Sequence, residues 1–200
     1  MANSLPVMEQ FLSLQGEGKH TGQVAYFIRL AGCDVGCVWC DVKESWNADQ
    51  HAIIGVDDLV HDAVYSGSPH IVITGGEPSM HDLTDLTHKL RTAGLQVWLE
   101  TAGVNPLRGE FDWVCLSPKK FKAPLAECLS MANEFKVVVY HPSDLQWAQG
   151  FMDNLSKDCL LYVQPEWDKR HCISPLLVRY IQENPKWKLS LQTHKYLEIP

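Results

Sequence analysis

The sequence predicts an α/β fold built on a parallel sheet and wound as an incomplete barrel. Three observations lead there. Apolar, β-branched runs alternate with helical patterns along the whole chain, the signature of right-handed strand–helix–strand units. Nearly every cluster of glycine, cysteine or polar ligand-type residues follows the C-terminal end of such a run, the edge where parallel α/β folds carry their sites. The link 102–112, broken by Asn105-Pro106 and Arg108-Gly109, is too short for a full crossover helix, and 200 residues fall short of the roughly 250 of a complete barrel.

The strands are expected at 24–30, 70–74, 95–100, 113–116, 135–140, 160–163 and 187–192, with 7–15 as a further strand at a sheet edge. Several are almost continuously apolar, as strands buried on both faces are. A helix over 79–93 places Leu83, Leu86, Leu90 and Ala93 on one face, with Ser79 and Asp82 as a capping box and Gly94 as its stop. A second, over 143–155, carries the stripe Leu145, Ala148, Met152 and Leu155 behind a Ser143–Gln146 box. A third, over 174–183, has Pro175 at its first position after a Ser174 cap. A shorter one, over 56–64, is closed by Ser66-Gly67.

Composition bounds the function. Hydrophobic residues make up 46% and the net charge is −7, so the chain builds one core, read as a single domain over 1–200. An acidic chain repels a phosphate backbone, which argues against direct nucleic-acid binding. No apolar run approaches the roughly 20 residues of a membrane helix, and the N-terminus lacks the pattern of a secretion signal. A cytoplasmic protein is expected.

Cysteine is the unusual residue. Of seven, three crowd into Cys33-x3-Cys37-x2-Cys40 and four are scattered. In a reducing compartment this cluster reads as metal or redox chemistry. Zinc would need a fourth ligand, from Asp41 or a distant His. A [4Fe–4S] cluster would use three cysteines and leave one iron open. A pure electron carrier would take four cysteines per cluster. Cys115 and Cys159 sit in or beside predicted strands and read as small core residues.

The triplet, with Trp39 before its last cysteine, is similar to the signature of the radical S-adenosylmethionine (SAM) enzymes, and Gly75-Gly76-Glu77-Pro78 resembles their GGEP element. Leu14-Gln15-Gly16-Glu17-Gly18, Arg29, Ser117-Pro118-Lys119, Gln164-Pro165 and Gln192-Thr193-His194-Lys195 resemble one family among them, the 7-carboxy-7-deazaguanine synthases of queuosine biosynthesis. The likeness runs from Leu14 to Pro200 and implies a truncated β/α barrel of the radical SAM type.

The resemblance implies roles. Cys33, Cys37 and Cys40 would hold a [4Fe–4S] cluster whose open iron is chelated by SAM. Trp39, Cys40, Asp41, Gly76, Glu77, Ser117, Pro118, Lys119, Gln164, Pro165, Glu166 and Trp167 match the SAM-binding positions. Lys119 suits the SAM carboxylate as a point charge. Reductive cleavage of SAM would yield a 5′-deoxyadenosyl radical that takes hydrogen from C6 of 6-carboxy-5,6,7,8-tetrahydropterin, after which the ring contracts and ammonia leaves. Leu14, Gln15, Gly16, Arg29, Thr74 and Pro200 match substrate contacts, with Arg29 suited to a bidentate grip on the carboxylate. Glu17 and His194 match residues beside the reacting ring. A homodimer and an electron donor such as flavodoxin or ferredoxin are implied as well.

One position departs from the family pattern. The usual Cys-Asp-Thr, whose threonine helps to hold Mg²⁺, reads Cys40-Asp41-Val42 here, and valine has no ligand atom. A related reading is a radical SAM activase acting on a glycine of a partner protein. Such an enzyme shares the short three-cysteine loop but has no use for the Leu14–Gly18 segment or for His194.

Overall fold

The computed structural model describes residues 3–200. Its strands are β1 (Ser4–Leu14), β2 (Val24–Leu30), β3 (Ala52–Gly55), β4 (His70–Gly75), β5 (Gln96–Thr101), β6 (Trp113–Leu116), β7 (Glu134–Val139), β8 (Leu160–Pro165) and β9 (Trp187–Leu189). The helices are α1 (Val56–Tyr65), α2 (Thr84–Thr92), α3 (Ala126–Met131), α4 (Ser143–Gln149), α5 (Arg170–Glu183) and α6 (Thr193–Leu197). The strands form one sheet in the order β3-β1-β2-β4-β5-β6-β7-β8-β9. From β2 onward every pair is parallel, whereas β1 runs antiparallel to both β2 and β3. The sheet is open, with β3 and β9 at its edges, as the missing crossover helix predicts.

The two faces of the sheet differ. Ile28, Leu30, Ile71, Ile73, Val97 and Leu99 pack on Leu59, Leu86 and Leu90 of α1 and α2. Phe135, Val137, Val139, Leu161 and Val163 pack on α3, α4 and α5 through Cys128, Leu145 and Leu177. The residues between them point to the other face. There Phe27, Val72 and Trp98 form a small aromatic layer with Phe11 and Trp113. One step along each strand, that face turns polar: Arg29, Thr74, Glu100, Cys115 and Lys136 occupy the next inward positions. Period-two alternation thus separates a helix-covered core from a cavity wall.

Several expectations need correction. The N-terminal strand is internal, because the short β3, too brief to show a pattern of its own, adds outside it. Helix α2 starts at Thr84, and no Ser79–Asp82 box forms; Asp82 instead accepts from the Thr84 amide at 3.1 Å. Ser79 belongs to a single 3-10 turn over Pro78–Met80. Helix α4 ends at Gln149 rather than Leu155, and Ser143 makes no cap; Asp144 turns back to accept from the amides of Tyr140 and His141 at 2.8 Å each. Helix α5 begins at Arg170, so Pro175 lies inside it. Strand β8 runs on through Gln164 and Pro165, which places them in the strand rather than after it, and β9 stops at Leu189. Among the described residues no helix is long and apolar enough to cross a membrane.

Candidate active site

The polar face opens into a cavity of about 480 Å³ at the C-terminal edge of the parallel strands. Most of the predicted site residues line it. Pro118 and Pro165 do not, although their neighbours Ser117, Lys119, Gln164 and Glu166 do.

One wall is the cysteine loop. It leaves β2 at Leu30 and is pinned to the turn after β4 by backbone bonds, Gly76 N–H to Leu30 O at 2.9 Å and Glu77 N–H to Gly32 O at 2.8 Å. Gly75 has φ of +134° and lies against the Leu30 backbone, while a Cβ on Gly76 would overlap the Gly32 carbonyl. Two glycines are needed because the two backbones touch. The far side of the loop is held by Gly32 N–H to Ser45 O at 2.7 Å and Cys33 N–H to Trp46 O at 3.1 Å. Cys33, Cys37 and Cys40 all border the cavity. Burial pushes the Cys37 thiol up to about 11 and raises that of Cys33. Among the described residues no three His, Cys, Asp or Glu side chains converge on a single-ion site. Three soft donors on one wall fit a cubane, in which each thiolate takes its own iron, better than a mononuclear zinc.

Glu77 is the brace of this wall. Its carboxylate is buried and accepts from Ser79 N at 2.9 Å, from Ala102 N at 2.7 Å and from the Thr101 hydroxyl. Its oxygens join the β4 turn to the end of β5, and the segment Gly75–Glu77 borders the cavity. Glu166 caps the turn into α5, accepting from the amides of Asp168 at 3.2 Å and Lys169 at 3.1 Å. Lys119 leans across the cysteine wall, donating to Ser117 O at 2.5 Å and Ser117 Oγ at 2.8 Å, with Nζ 5.9 Å from the Trp39 ring. Burial lowers its pKa.

Another part of the cavity lining is ionic. Lys136, 2% exposed, reaches Glu17 Oε2 at 2.7 Å and Glu100 Oε2 at 2.9 Å. Gln192 donates to Glu17 Oε1 at 2.9 Å, and Gln15 donates to Glu100 Oε1 at 3.2 Å. Burial acts to raise the pKa of Glu17, but the Lys136 ammonium, with help from His194 and Gln192, brings it down to about 2. At Glu100 burial wins over the same ammonium and the pKa is raised. Burial opposes the charge on Lys136 too, yet Cys115, Glu100, Glu17 and Glu134 around it push its pKa well above the usual lysine value.

The C-terminal segment completes the cavity. Thr193 donates from its amide and hydroxyl to Gly16 O at 2.9 and 3.0 Å, and His194 then lies on Gly16 so closely that a Cβ there would overlap its ring. Burial lowers the pKa of His194. Lys195 pairs with Asp41 beside the cysteine loop, and Pro200 O accepts from Ser13 Oγ at 2.8 Å. Trp167 is flanked by Arg170 and Lys195, at 4.1 and 5.4 Å from its centroid. Arg29 binds Glu9 through Nε at 2.6 Å and lines the cavity together with Thr74, its neighbour in the sheet register.

Relatives agree with this geometry. No protein-family model matches the chain. A 7-carboxy-7-deazaguanine synthase from Flavobacterium psychrophilum is 50% identical over 98% of this chain and 93% of its own length. One from Synechocystis is 46% identical over 98% and 94%. The enzyme of that name from Escherichia coli is 36% identical over 97% and 98%. The chain belongs to the 7-carboxy-7-deazaguanine synthase family. The crystal structure of QueE from Escherichia coli superposes with a TM-score of 0.80 at 34% identity, covering 94% of each chain. Membership in the 7-carboxy-7-deazaguanine synthase family decides the two enzyme readings of the sequence for the synthase and against the activase, and it implies a radical SAM enzyme with a [4Fe–4S] cluster and SAM as cofactors.

Sequence reasoning missed Lys136, Glu100, Gln192 and Lys195 as site residues. Lys136 had a signal: it is the lone charge in the apolar run Phe135–Val139, out of phase with Phe135, Val137 and Val139. Such a lysine in a strand must have buried partners.

Proposed function

We propose that this chain converts 6-carboxy-5,6,7,8-tetrahydropterin to 7-carboxy-7-deazaguanine by a SAM-dependent radical ring contraction with loss of ammonia. The observation that carries the reading is that the three cysteines and the ion-paired carboxylates Glu17 and Glu100 line one cavity, inside a chain of this family.

A [4Fe–4S] cluster with SAM supplies a hydrogen-abstracting radical when bound and reduced. Cys33, Cys37 and Cys40 would hold the cluster. Ser117 and Lys119, the backbone at Gly76, and Gln164 with Trp167 would hold SAM. The substrate lies between this wall and Glu17. The terminal nitrogens of Arg29 grip its carboxylate, with Thr74 beside them. Glu17 and Glu100 accept hydrogen bonds from the N–H groups of the aminopyrimidinone ring, and Leu14, Gln15 and Gly16 close over it. His194 and the Pro200 terminus cover the remaining side, excluding water from the reacting carbon. Residues 1–200 act as one radical SAM domain, cytoplasmic, as a homodimer, with a flavodoxin or ferredoxin as electron donor.

Mg²⁺ does not fit as the family pattern would have it. Val42 has no ligand atom, and the adjoining Asp41 carboxylate is paired with Lys195. No step is assigned to the ion.

One anaerobic assay with SAM, a reductant and the carboxytetrahydropterin tests the reading. A deazapurine product is expected. Deoxyadenosine without it would leave a radical SAM enzyme of another substrate.

A further inference from the structure

We infer that Lys136 is a positioning residue that keeps Glu17 and Glu100 together as a two-carboxylate acceptor for the donor edge of the substrate's aminopyrimidinone ring. The inference rests on the function proposed above and adds a residue that no motif of the chain singles out.

The geometry leads to it. Among the described residues Lys136 is the single ammonium paired with both carboxylates, at 2.7 Å from one and 2.9 Å from the other. Cys115 and Glu134 also act on its charge and are engaged with other groups: Glu134 accepts from Lys19 N at 3.0 Å and faces the Cys115 thiol at 3.6 Å. The outer oxygens, Glu17 Oε1 and Glu100 Oε1, are held by the amides of Gln192 and Gln15. Each glutamate is thus anchored at both oxygens and still retains free lone pairs toward the cavity. The groups that face this cluster are Glu134 and Cys115 from β7 and β6, His194 from the C-terminal segment, and Lys119 from the loop after β6.

Without the ammonium, two carboxylates around one buried gap cannot both stay ionised; one takes a proton and becomes a donor. A donor aimed at the N–H and NH₂ groups of the ring repels them. Glu100 is the one poised to take it, since burial already raises its pKa and nothing but Lys136 counters that strongly.

The test compares wild type, Lys136→Met, Lys136→Arg and the double variant Lys136→Met/Glu100→Gln, each anaerobically reconstituted. The readouts are kcat/KM between pH 6 and 8.5 and the affinity for 6-carboxypterin, followed by its fluorescence. SAM cleavage without substrate serves as a control for an intact cluster site. In Lys136→Met, kcat/KM is expected to be on the order of 100-fold lower at pH 6 than at pH 8.5, because the carboxylate pair must lose its shared proton. Binding of 6-carboxypterin weakens with the same pH dependence. Lys136→Arg keeps the wild-type profile, and the double variant shows a weaker acid limb than Lys136→Met, because the like charge is gone while burial still acts on Glu17 without its ammonium. A Lys136→Met profile parallel to wild type overturns the inference even if turnover falls. Should that variant not fold, the double variant decides alone: binding of 6-carboxypterin that is weaker than wild type and falls further with acid upholds the inference, and a pH profile parallel to wild type or unchanged binding overturns it. Wild type that makes no deazapurine removes the underlying function instead.

Discussion

Replacing Glu77 by alanine tests how the site is braced. Its carboxylate is 1% exposed and accepts from the Ser79 amide, the Ala102 amide and the Thr101 hydroxyl, so it ties the turn after β4 to the end of β5. Hydrogen bonds to an ionised partner contribute about 1.5–3 kcal/mol each, and a buried donor left unpaired costs about 1–3 kcal/mol. These terms overlap, because the Thr101 hydroxyl can rotate toward another acceptor while its oxygen still accepts from the Gly103 amide at 2.9 Å, so a net loss on the order of 4 kcal/mol is expected. With a urea slope of about 2.5 kcal/mol per molar, the unfolding midpoint should fall by about 1.6 M. Anaerobic urea titration of the reconstituted protein, followed by tryptophan fluorescence, measures it. Glu77→Asp, one methylene shorter, should lose more than half as much. A midpoint drop under about 0.4 M for the alanine variant, equivalent to about 1 kcal/mol, would show that the three bonds do not brace the wall.

Gly16→Ala places a Cβ in the His194 ring, and displacing that imidazole should lower kcat/KM on the order of 100-fold while urea stability changes little; unchanged kcat/KM would mean that His194 does not need its present position. Mg²⁺ should stimulate the wild-type protein less than Val42→Thr, compared after chelator treatment, and equal stimulation of both would remove the ligand argument. Glu17 has a folded pKa of about 2 against 4.5 for the free group, so its ionised form contributes stability that is complete above pH 4.5 and lost as pH falls through 2. The stability difference between wild type and Glu17→Gln should therefore be flat from pH 7 to 5 and shrink between 4.5 and 2, read from urea midpoints at each pH. A difference that grows on acidification would reverse the assigned sign.

Much of the site was legible because its chemistry is local. Cys33, Cys37 and Cys40 lie within eight residues, and Gly75-Gly76 must be glycines for the same reason that makes them conspicuous, the approach of two backbones. Strand positions were legible for a related reason, since β-branched runs announce themselves. Helix starts were not. Ser79 and Ser143 look like caps, but α2 starts only at Thr84, where Asp82 accepts the Thr84 amide, and Ser143 is already the first residue of α4; a cap is decided by which acceptor reaches a donor in space.

By itself, the sequence determined the α/β class, the open winding, the cysteine wall and the family likeness, all of which depend on spacing along the chain. Only the tertiary structure decided what those residues face. The Lys136 pairs reach 119 positions back to Glu17 and 36 back to Glu100, and they exist because the parallel register stacks Glu100, Cys115 and Glu134 across three strands. An ion pair in a cavity is a property of strand register and of the alternation that turns one residue inward. A charge in a strand therefore signals that a partner is required, and the fold names the partner.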